Sequence, residues 1–243
     1  MSSRRDPRHL GFTLLEVLIV IIIVVAAAAI LIPGLLPSTR GLNSERNSAG
    51  SLKTLASAEA DFRANDRDWN HVNDYWTGDV KGLYTMTSAA VRGGQPNNLL
   101  DPSSKLIELS VASADADGTF VPAGGENVPL DSYALPSAKA GYWYATLNSD
   151  LTSGKEYRQD TGGDLPMGKC HNLSMFGFVS FPDSPSAGRY VYLINQNNTV
   201  YRASPPLRPR SHALVPPGLG SVPVGCVDWP VEATLKSAWT KPD

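Results

Sequence analysis

Apolar residues are concentrated in one segment near the N-terminus of the chain. Of the 21 positions from 12 to 32, 19 are apolar, and the two exceptions are Thr13 and Glu16. An α-helix of this length rises about 1.5 Å per residue and spans roughly 30 Å, the thickness of the hydrocarbon core of a bilayer. The pattern therefore predicts a helix over residues 12–32 that is long enough to cross a membrane.

The next segment, residues 33–64, has a different pattern. Pro33 and Pro37 should interrupt or bend the helix, because proline removes a backbone donor and crowds the preceding turn. Beyond them, apolar residues recur every three to four positions, which is typical of an amphipathic helix. These residues are Leu52, Leu55, Ala56 and Phe62. We expect this helix to pack on the core of the following domain and to end by Asn65. The alternative is that its apolar stripe packs against a partner helix.

From residue 65 onward, short segments rich in aromatic and β-branched residues indicate strands. The clearest are residues 142–147, 176–181, 190–194 and 199–202, and the last two flank an Asn-rich turn that predicts a hairpin. Asp101-Pro102 predicts the start of a short helix through Leu109. The predicted fold class is α+β. A long N-terminal helix, half membrane-spanning and half amphipathic, packs on an antiparallel β-sheet domain with long loops.

The charges of the chain bear on its partners. The 21 basic and 23 acidic residues give a net charge of -2, so no global positive field attracts phosphates and no nucleic-acid partner is expected. Three basic residues, Arg4, Arg5 and Arg8, precede the apolar segment with only Asp6 opposing them. The positive-inside rule then holds the N-terminus in the cytoplasm and exports the rest of the chain.

A cleaved secretory signal peptide is the alternative for this segment, with the alanines at 26–29 as the small residues of a cleavage site. Two observations argue against it. The apolar run continues past the alanines to Ile32, and it contains a carboxylate, Glu16. Near the centre of a lipid-facing helix a carboxylate costs about 3 kcal/mol, so Glu16 should have a positively charged partner.

The sequence GFTLLEV at residues 11–17 follows a short basic leader and opens a uniformly apolar helix. It closely resembles the processing site of type IV prepilins and type II secretion pseudopilins. The resemblance implies that a prepilin peptidase cuts between Gly11 and Phe12 and methylates the new terminal amine on Phe12. It also implies a role for Glu16, the fifth mature residue, which would neutralise the terminal amine of a neighbouring subunit during assembly.

By this resemblance the chain comprises a cleaved basic leader (1–11), a transmembrane and filament-core helix (12–32), an amphipathic continuation (33–64) and an exported globular β-rich domain (65–243). The implied function is that of a structural subunit of a type IV pilus-like or type II secretion pseudopilus filament. Its precursor would cross the inner membrane once with its N-terminus in the cytoplasm, and its domain would be periplasmic or extracellular.

The partners implied by the resemblance are membrane lipid before assembly, the prepilin peptidase, the inner-membrane assembly platform and copies of the chain or related pilins. The alternative is a bitopic, membrane-anchored exported enzyme or ligand-binding domain. Such an anchor has no need of Gly11 or Glu16, and the sequence contains no recognisable catalytic motif. We therefore expect no enzymatic activity.

Both cysteines, Cys170 and Cys226, fall in the exported part of the chain. Two thiols in an oxidising compartment most simply form a disulfide, here closing a loop of more than 50 residues. Metal or nucleophilic chemistry at Cys170 beside His171 is the alternative, but it lacks a second convergent pair of ligands. Type IV pilins often staple a C-terminal region by such a disulfide, whereas many pseudopilins do not.

Oxygen-bearing side chains alternate after the amphipathic helix, as at the start of a calcium-binding loop. They are Asp66, Asp68, Asn70 and Asp74, at loop positions 1, 3, 5 and 9. Two departures weaken the match, because His71 replaces the turn glycine and Thr77 replaces the bidentate glutamate. A polar turn that caps backbone groups is the competing interpretation. No cofactor is expected other than weakly bound calcium at this loop.

Overall fold

The computed structural model describes residues 14–35, 37–67, 72–85, 105–116, 134–158, 171–204, 222 and 226–242. Its elements in chain order are α1 Leu14–Leu35, α2 Pro37–Asn65, β1 Tyr75–Trp76, α3 Gly82–Thr85, α4 Leu109–Ala112, β2 Tyr142–Thr146, β3 Ser149–Asp150, β4 Lys155–Glu156, β5 His171–Asn172, β6 Gly177–Pro182, β7 Val191–Asn195, β8 Tyr201–Ala203 and α5 Glu232–Ala238. The chain forms two compact units, Met1–Arg40 and Gly41–Asp243. N-terminal helices and an antiparallel sheet agree with the predicted α+β class.

The first unit contains α1, which is 22 residues long and ends at Leu35. Pro37 begins α2, where its missing N–H removes no hydrogen bond from the helix. Pro33, one of the two prolines expected to interrupt or bend the helix, lies within α1, and the other, Pro37, is the first residue of α2. Among the described residues, no helix combines the length and the apolar character needed to cross a membrane.

The amphipathic part of α2 lies in the second unit and ends at Asn65, as the periodicity predicts. No more than 1% of the surface is exposed at Leu52, Leu55 and Phe62, so the apolar stripe belongs to the core of the domain. After Asn65 the chain leaves the helix through Asp66, which has a φ of 43°. The backbone N–H of Arg67 then donates to the carbonyl of Phe62 at 3.3 Å and closes the last turn.

The main sheet has four antiparallel strands in the order β2-β6-β7-β8. All four strands lie where the aromatic and β-branched segments predict them, and β7 and β8 form the predicted hairpin. Every residue of β2, β6 and β7 is buried, so both faces of these three strands are covered.

The register shows which residues share each face of the sheet. Tyr144, Ser180 and Tyr192 are cross-strand neighbours, and the Ser180 hydroxyl lies 2.7 Å from that of Ser48 in α2, so this row faces the helix. The adjacent row faces away from α2, because successive side chains of a strand point to opposite faces. In that row Tyr201 contacts the Trp229 ring edge-to-face at 5.7 Å.

Both outer strands of the main sheet are covered by other parts of the chain. On one side the backbone of Tyr144 exchanges hydrogen bonds with Ala114 and Ala116. On the other side Arg202 and Thr240 donate to each other's carbonyls at 2.8 and 2.9 Å. These hydrogen bonds leave fewer backbone groups on each edge that another chain could pair with. Two smaller two-stranded sheets pair β1 with β5 and β3 with β4.

The short helix expected from Asp101 through Leu109 was predicted at the wrong place. Residues 105–108 are not helical, and the helix α4 begins at Leu109. The backbone N–H of Leu106 instead donates to the carbonyl of Leu83 at 3.1 Å, and Ile107 is buried in the core. Leu106 thus contacts a distant segment of the chain instead of a helical neighbour, and Asp101-Pro102 lies outside the described residues.

Candidate functional site

The side chains of α1 are exposed wherever the structure describes them, from residue 14 to residue 27. Val17 has 48% of its surface exposed, Ile21 has 55% and Ile23 has 61%. A contiguous apolar surface of this kind marks an interaction site, because water solvates it poorly. The helix therefore has an apolar surface to bury against another apolar partner.

Glu16 is the one acidic residue of α1, and it lies in the first turn of the helix. A negative charge is favourable there, because the backbone N–H groups of the first turn give this end a partial positive charge. Gly11 and Phe12, the residues of the predicted cleavage site, lie outside the described residues. Glu16 thus lies in the first turn of the helix that follows the predicted cleavage site.

Residues 6–32 match the family model described as the prokaryotic N-terminal methylation motif. The chain carries the prepilin-cleavage motif of type IV pilins and pseudopilins. The resemblance of residues 11–17 to this motif is thereby confirmed. No curated protein and no solved structure matches the chain.

The prepilin motif indicates an exported, membrane-anchored precursor that a prepilin peptidase processes. It covers residues 6–11 of the predicted leader and most of α1, and it does not reach the second unit. A second feature lies within the second unit, where one face of α2 packs on the rest of the globular domain.

The face of α2 that meets the sheet contains polar side chains that the sequence analysis missed. Glu45 is 7% exposed, and its Oε1 accepts a hydrogen bond from the backbone N–H of Arg189 at 3.0 Å. Ser48 is buried against Ser180, and Ser51 is buried one turn further on. These positions continue the three-to-four-residue spacing of the apolar stripe toward the N-terminus. The spacing alone could have identified them as inward-facing.

Glu59 is the most deeply placed of these polar side chains, with none of its surface exposed. Its Oε2 accepts a hydrogen bond from the backbone N–H of Trp76 at 2.9 Å, and its Oε1 has no hydrogen-bond partner within the described residues. The pKa of Glu59 lies well above its ordinary value, mainly because the carboxyl group is buried. The hydrogen bond from the Trp76 N–H offsets part of this rise, and the negative charge of Asp74 adds to it. Glu59 therefore joins α2 to β1 with a carboxyl group that favours its neutral form.

Two further buried carboxylates shape the chain after β1. Asp79 Oδ1 accepts hydrogen bonds from the backbone N–H of Gly82 at 2.7 Å and from the indole N–H of Trp76 at 3.2 Å. Asp115 Oδ2 accepts from the backbone N–H groups of Val80 and Lys81 at 3.0 and 2.9 Å. These contacts fix the loop between β1 and α3. The contacts of Asp79 are local, three positions along the chain, whereas those of Asp115 join groups 34 and 35 positions apart and leave no sequence signal.

The residues predicted to bind calcium are only partly described. Asp66 lies at the end of α2, where its backbone turns the chain, and Asp74 is fully buried. Asp68 and Asn70 lie outside the described residues. Within the described ranges, no group of three or more acidic, histidine or cysteine side chains could hold a metal ion. Calcium binding at this loop stays a prediction.

Cys226 is buried, and desolvation raises the pKa of its thiol to about 11. Cys226 has no disulfide partner among the described residues, and its predicted partner Cys170 lies outside them. A thiol with this pKa is almost entirely protonated at neutral pH, so Cys226 is poorly suited to nucleophilic chemistry. The disulfide between Cys170 and Cys226 stays a prediction.

Proposed function

We propose that this protein is a structural subunit of a type IV pilus-like or type II secretion pseudopilus filament. The observation that carries the proposal is the prepilin motif at residues 6–32, which includes most of the apolar helix α1 and the single carboxylate in its first turn. Cleavage after Gly11 would make Phe12 the first residue and Glu16 the fifth residue of the mature chain.

The exposed apolar surface of α1 supports assembly through this helix. Before assembly the precursor would cross the inner membrane with this segment, its N-terminus in the cytoplasm and its domain outside. A subunit can leave the lipid only if another apolar surface replaces it, and a bundle of such helices from neighbouring subunits supplies one. The assembly platform and the other subunits of the filament are then its partners.

The position of Glu16 supports a role in setting the register between subunits. A carboxylate among apolar helices is costly unless a positive charge faces it. The N-terminal amine on Phe12 of a neighbour supplies that charge at one axial offset only. Pairing therefore selects that offset, as a polar residue does in a coiled coil.

The contacts of α2 support a structural role for the globular domain. The helix is held to the rest of the domain by burial of Leu52 and Leu55. Glu45 and Glu59 also accept hydrogen bonds from the backbone N–H groups of Arg189 and Trp76. A domain fastened along its helix in this way moves with that helix into an assembly. We propose no catalytic role for it.

Glu16 variants test this proposal. Glu16→Ala and Glu16→Gln both remove the charge, and we expect both proteins to be inserted and cleaved normally but to be nearly absent from sheared filaments or from pseudopili. Glu16→Asp keeps the charge and should retain part of the incorporation. Normal incorporation of Glu16→Ala would contradict the role of Glu16, and a normally inserted but uncleaved wild-type chain would favour the anchored enzyme or binding domain instead.

A further inference from the structure

The turn between β7 and β8 contains the sequence Asn197-Asn198-Thr199. This is an Asn-X-Thr acceptor sequence for N-linked glycosylation, in which X is any residue except proline. The chain contains one other such sequence, Asn172-Leu173-Ser174. The structure places the two acceptor sequences in opposite environments.

Asn197 and Asn198 are exposed at the tip of the hairpin. The backbone of the turn is fixed by the Asn197 N–H, which donates to Asn195 Oδ1 at 3.1 Å, and by the Asn198 N–H, which donates to the Asn195 carbonyl at 2.9 Å. Asn198 has a φ of 54°, a conformation that asparagine tolerates better than most residues.

The carboxamide of Asn197 itself makes no hydrogen bond to any described residue. The Thr199 hydroxyl donates only to the backbone carbonyl of Asn197, at 3.4 Å. The turn is thus held by its main chain and by Asn195, and a substituent on Asn197 Nδ2 would break no contact of the domain. The exposed tip also leaves room for a bulky, solvated group.

Asn172 provides the internal comparison. It is 2% exposed, and its Nδ2 donates to the carbonyls of Glu156 and Tyr157, both at 3.0 Å. Its Oδ1 accepts from the backbone N–H groups of Ser174 and Met175. The nitrogen of Asn172 is therefore inaccessible in the folded domain, although its acceptor sequence is equally complete.

We propose that Asn197 is an N-glycosylation site, modified on the exported side of the membrane from a polyprenyl-diphosphate-linked saccharide. Asn197 Nδ2 forms a bond to C1 of the sugar, and the bond between C1 and the diphosphate oxygen breaks. Polyprenyl diphosphate leaves, one amide proton passes to solvent, and no atom is oxidised or reduced. The modification requires export of residue 197 and does not require filament assembly.

Peptide mass spectrometry of the full-length protein from its native cells tests the proposal. Trypsin cleavage after Arg189 and Arg202 isolates residues 190–202, which include Asn197, while Asn172 falls in residues 170–189. We expect a saccharide mass on the first peptide, placed on Asn197 by fragmentation, and none on the second. An unmodified 190–202 peptide throughout the exported protein, or a saccharide on Asn172, would overturn the proposal.

Variants of the turn separate the acceptor sequence from other causes. Asn197→Gln and Thr199→Ala should lose the saccharide, whereas Thr199→Ser and Asn198→Gly keep an acceptor sequence and should retain it. Glycine at 198 also adopts the positive φ without strain. Retention of the saccharide in Thr199→Ala would contradict N-glycosylation. We expect Glu16→Ala to be exported without assembling. A saccharide on Asn197 of that variant would show that glycosylation does not depend on filament assembly.

Discussion

The carboxyl group of Glu59 in α2 accepts a hydrogen bond from the backbone N–H of Trp76 in β1, at 2.9 Å. The two residues are 17 positions apart, and both side chains are fully buried. This contact holds the segment that follows α2 against the helix. It also places an acid where ionisation is unfavourable, which makes the stability of the domain depend on pH.

The first prediction concerns this pH dependence. Burial raises the pKa of Glu59 in the folded protein above its value in the unfolded chain. As the pH rises above about 4.5, the unfolded chain loses this proton first, so the folded state binds more protons and the stability falls until the folded pKa is passed. Glu59→Gln keeps a hydrogen-bond acceptor for Trp76 and cannot ionise. The variant should therefore be more stable than the wild type at pH 8, and this difference should shrink toward pH 4.

Urea denaturation of the full-length protein in detergent, followed by tryptophan fluorescence, measures this difference. All five tryptophans lie beyond residue 65, so the signal reports the globular unit. Glu156→Gln is the matched control, because Glu156 is exposed. A difference between Glu59→Gln and wild type that stays constant from pH 4 to pH 8 would count against a neutral, buried Glu59.

The second prediction concerns the attachment of α2 to the sheet. Leu55 has no exposed surface, and its replacement by alanine leaves a cavity in the core. We expect Leu55→Ala to lower the free energy of unfolding by about 2–5 kcal/mol. Thr54→Ala, at the exposed neighbouring position, should change it by less than about 0.5 kcal/mol. Equal effects of the two substitutions in urea denaturation would refute this packing of the helix.

The third prediction uses two glycines with opposite surroundings. Gly50 is exposed in the interior of α2, and no atom lies within 4 Å of an added Cβ. Gly50→Ala should therefore raise the stability of the domain by up to about 1 kcal/mol through helix propensity. A Cβ at Gly188 would collide with the ring and hydroxyl of Tyr142, so Gly188→Ala should lower it. A shift of the melting temperature in the same direction for both variants would contradict the different surroundings of the two glycines.

The fourth prediction is the disulfide between Cys170 and Cys226. The segments next to the two cysteines are joined by a short series of hydrogen bonds. Asn148 N–H donates to the Val227 carbonyl, Tyr157 N–H donates to the Asn148 carbonyl, and Asn172 Nδ2 donates to the Tyr157 carbonyl. A bond that closes a loop of this length would stabilise the domain by about 4 kcal/mol in the chain-entropy model.

Peptide mapping of exported protein without reductant should find the two cysteine peptides linked. Reductant should lower the melting temperature of the wild type and should leave that of Cys226→Ser unchanged. Free thiols at both positions in protein isolated outside the cytoplasm would exclude the bond.

The extent to which the sequence predicts this fold depends on how local the determining interactions are. The strand containing Trp143 and the hairpin beyond Leu193 follow from runs of aromatic and β-branched residues, and the stripe through Leu55 follows from helical spacing. The inward orientation of Glu59 was missed because a charged helical residue normally faces water. Its hydrogen-bond donor, Trp76 N–H, comes close only when the chain folds.

The candidate site shows the same contrast. The processing motif is recognised by its contiguous residues, so Gly11, Phe12 and Glu16 could be named from the sequence, and the family model matches this stretch. Asp115 holds the loop after β1 through backbone N–H groups 34 and 35 positions away, and such contacts leave no pattern along the chain. Side chains that act through distant backbone atoms therefore require the structure.

The mature N-terminus tests the central claim most directly. Mass spectrometry of the N-terminal peptide of protein recovered from the native cell envelope should identify N-methylated Phe12, and Gly11→Val, which blocks the peptidase with a bulky residue, should leave the precursor uncut. Thr39→Ala, beyond the motif, should be processed as the wild type. A mature terminus near Ala28, or an intact leader on the wild-type protein, would contradict processing as a prepilin and with it the filament-subunit account.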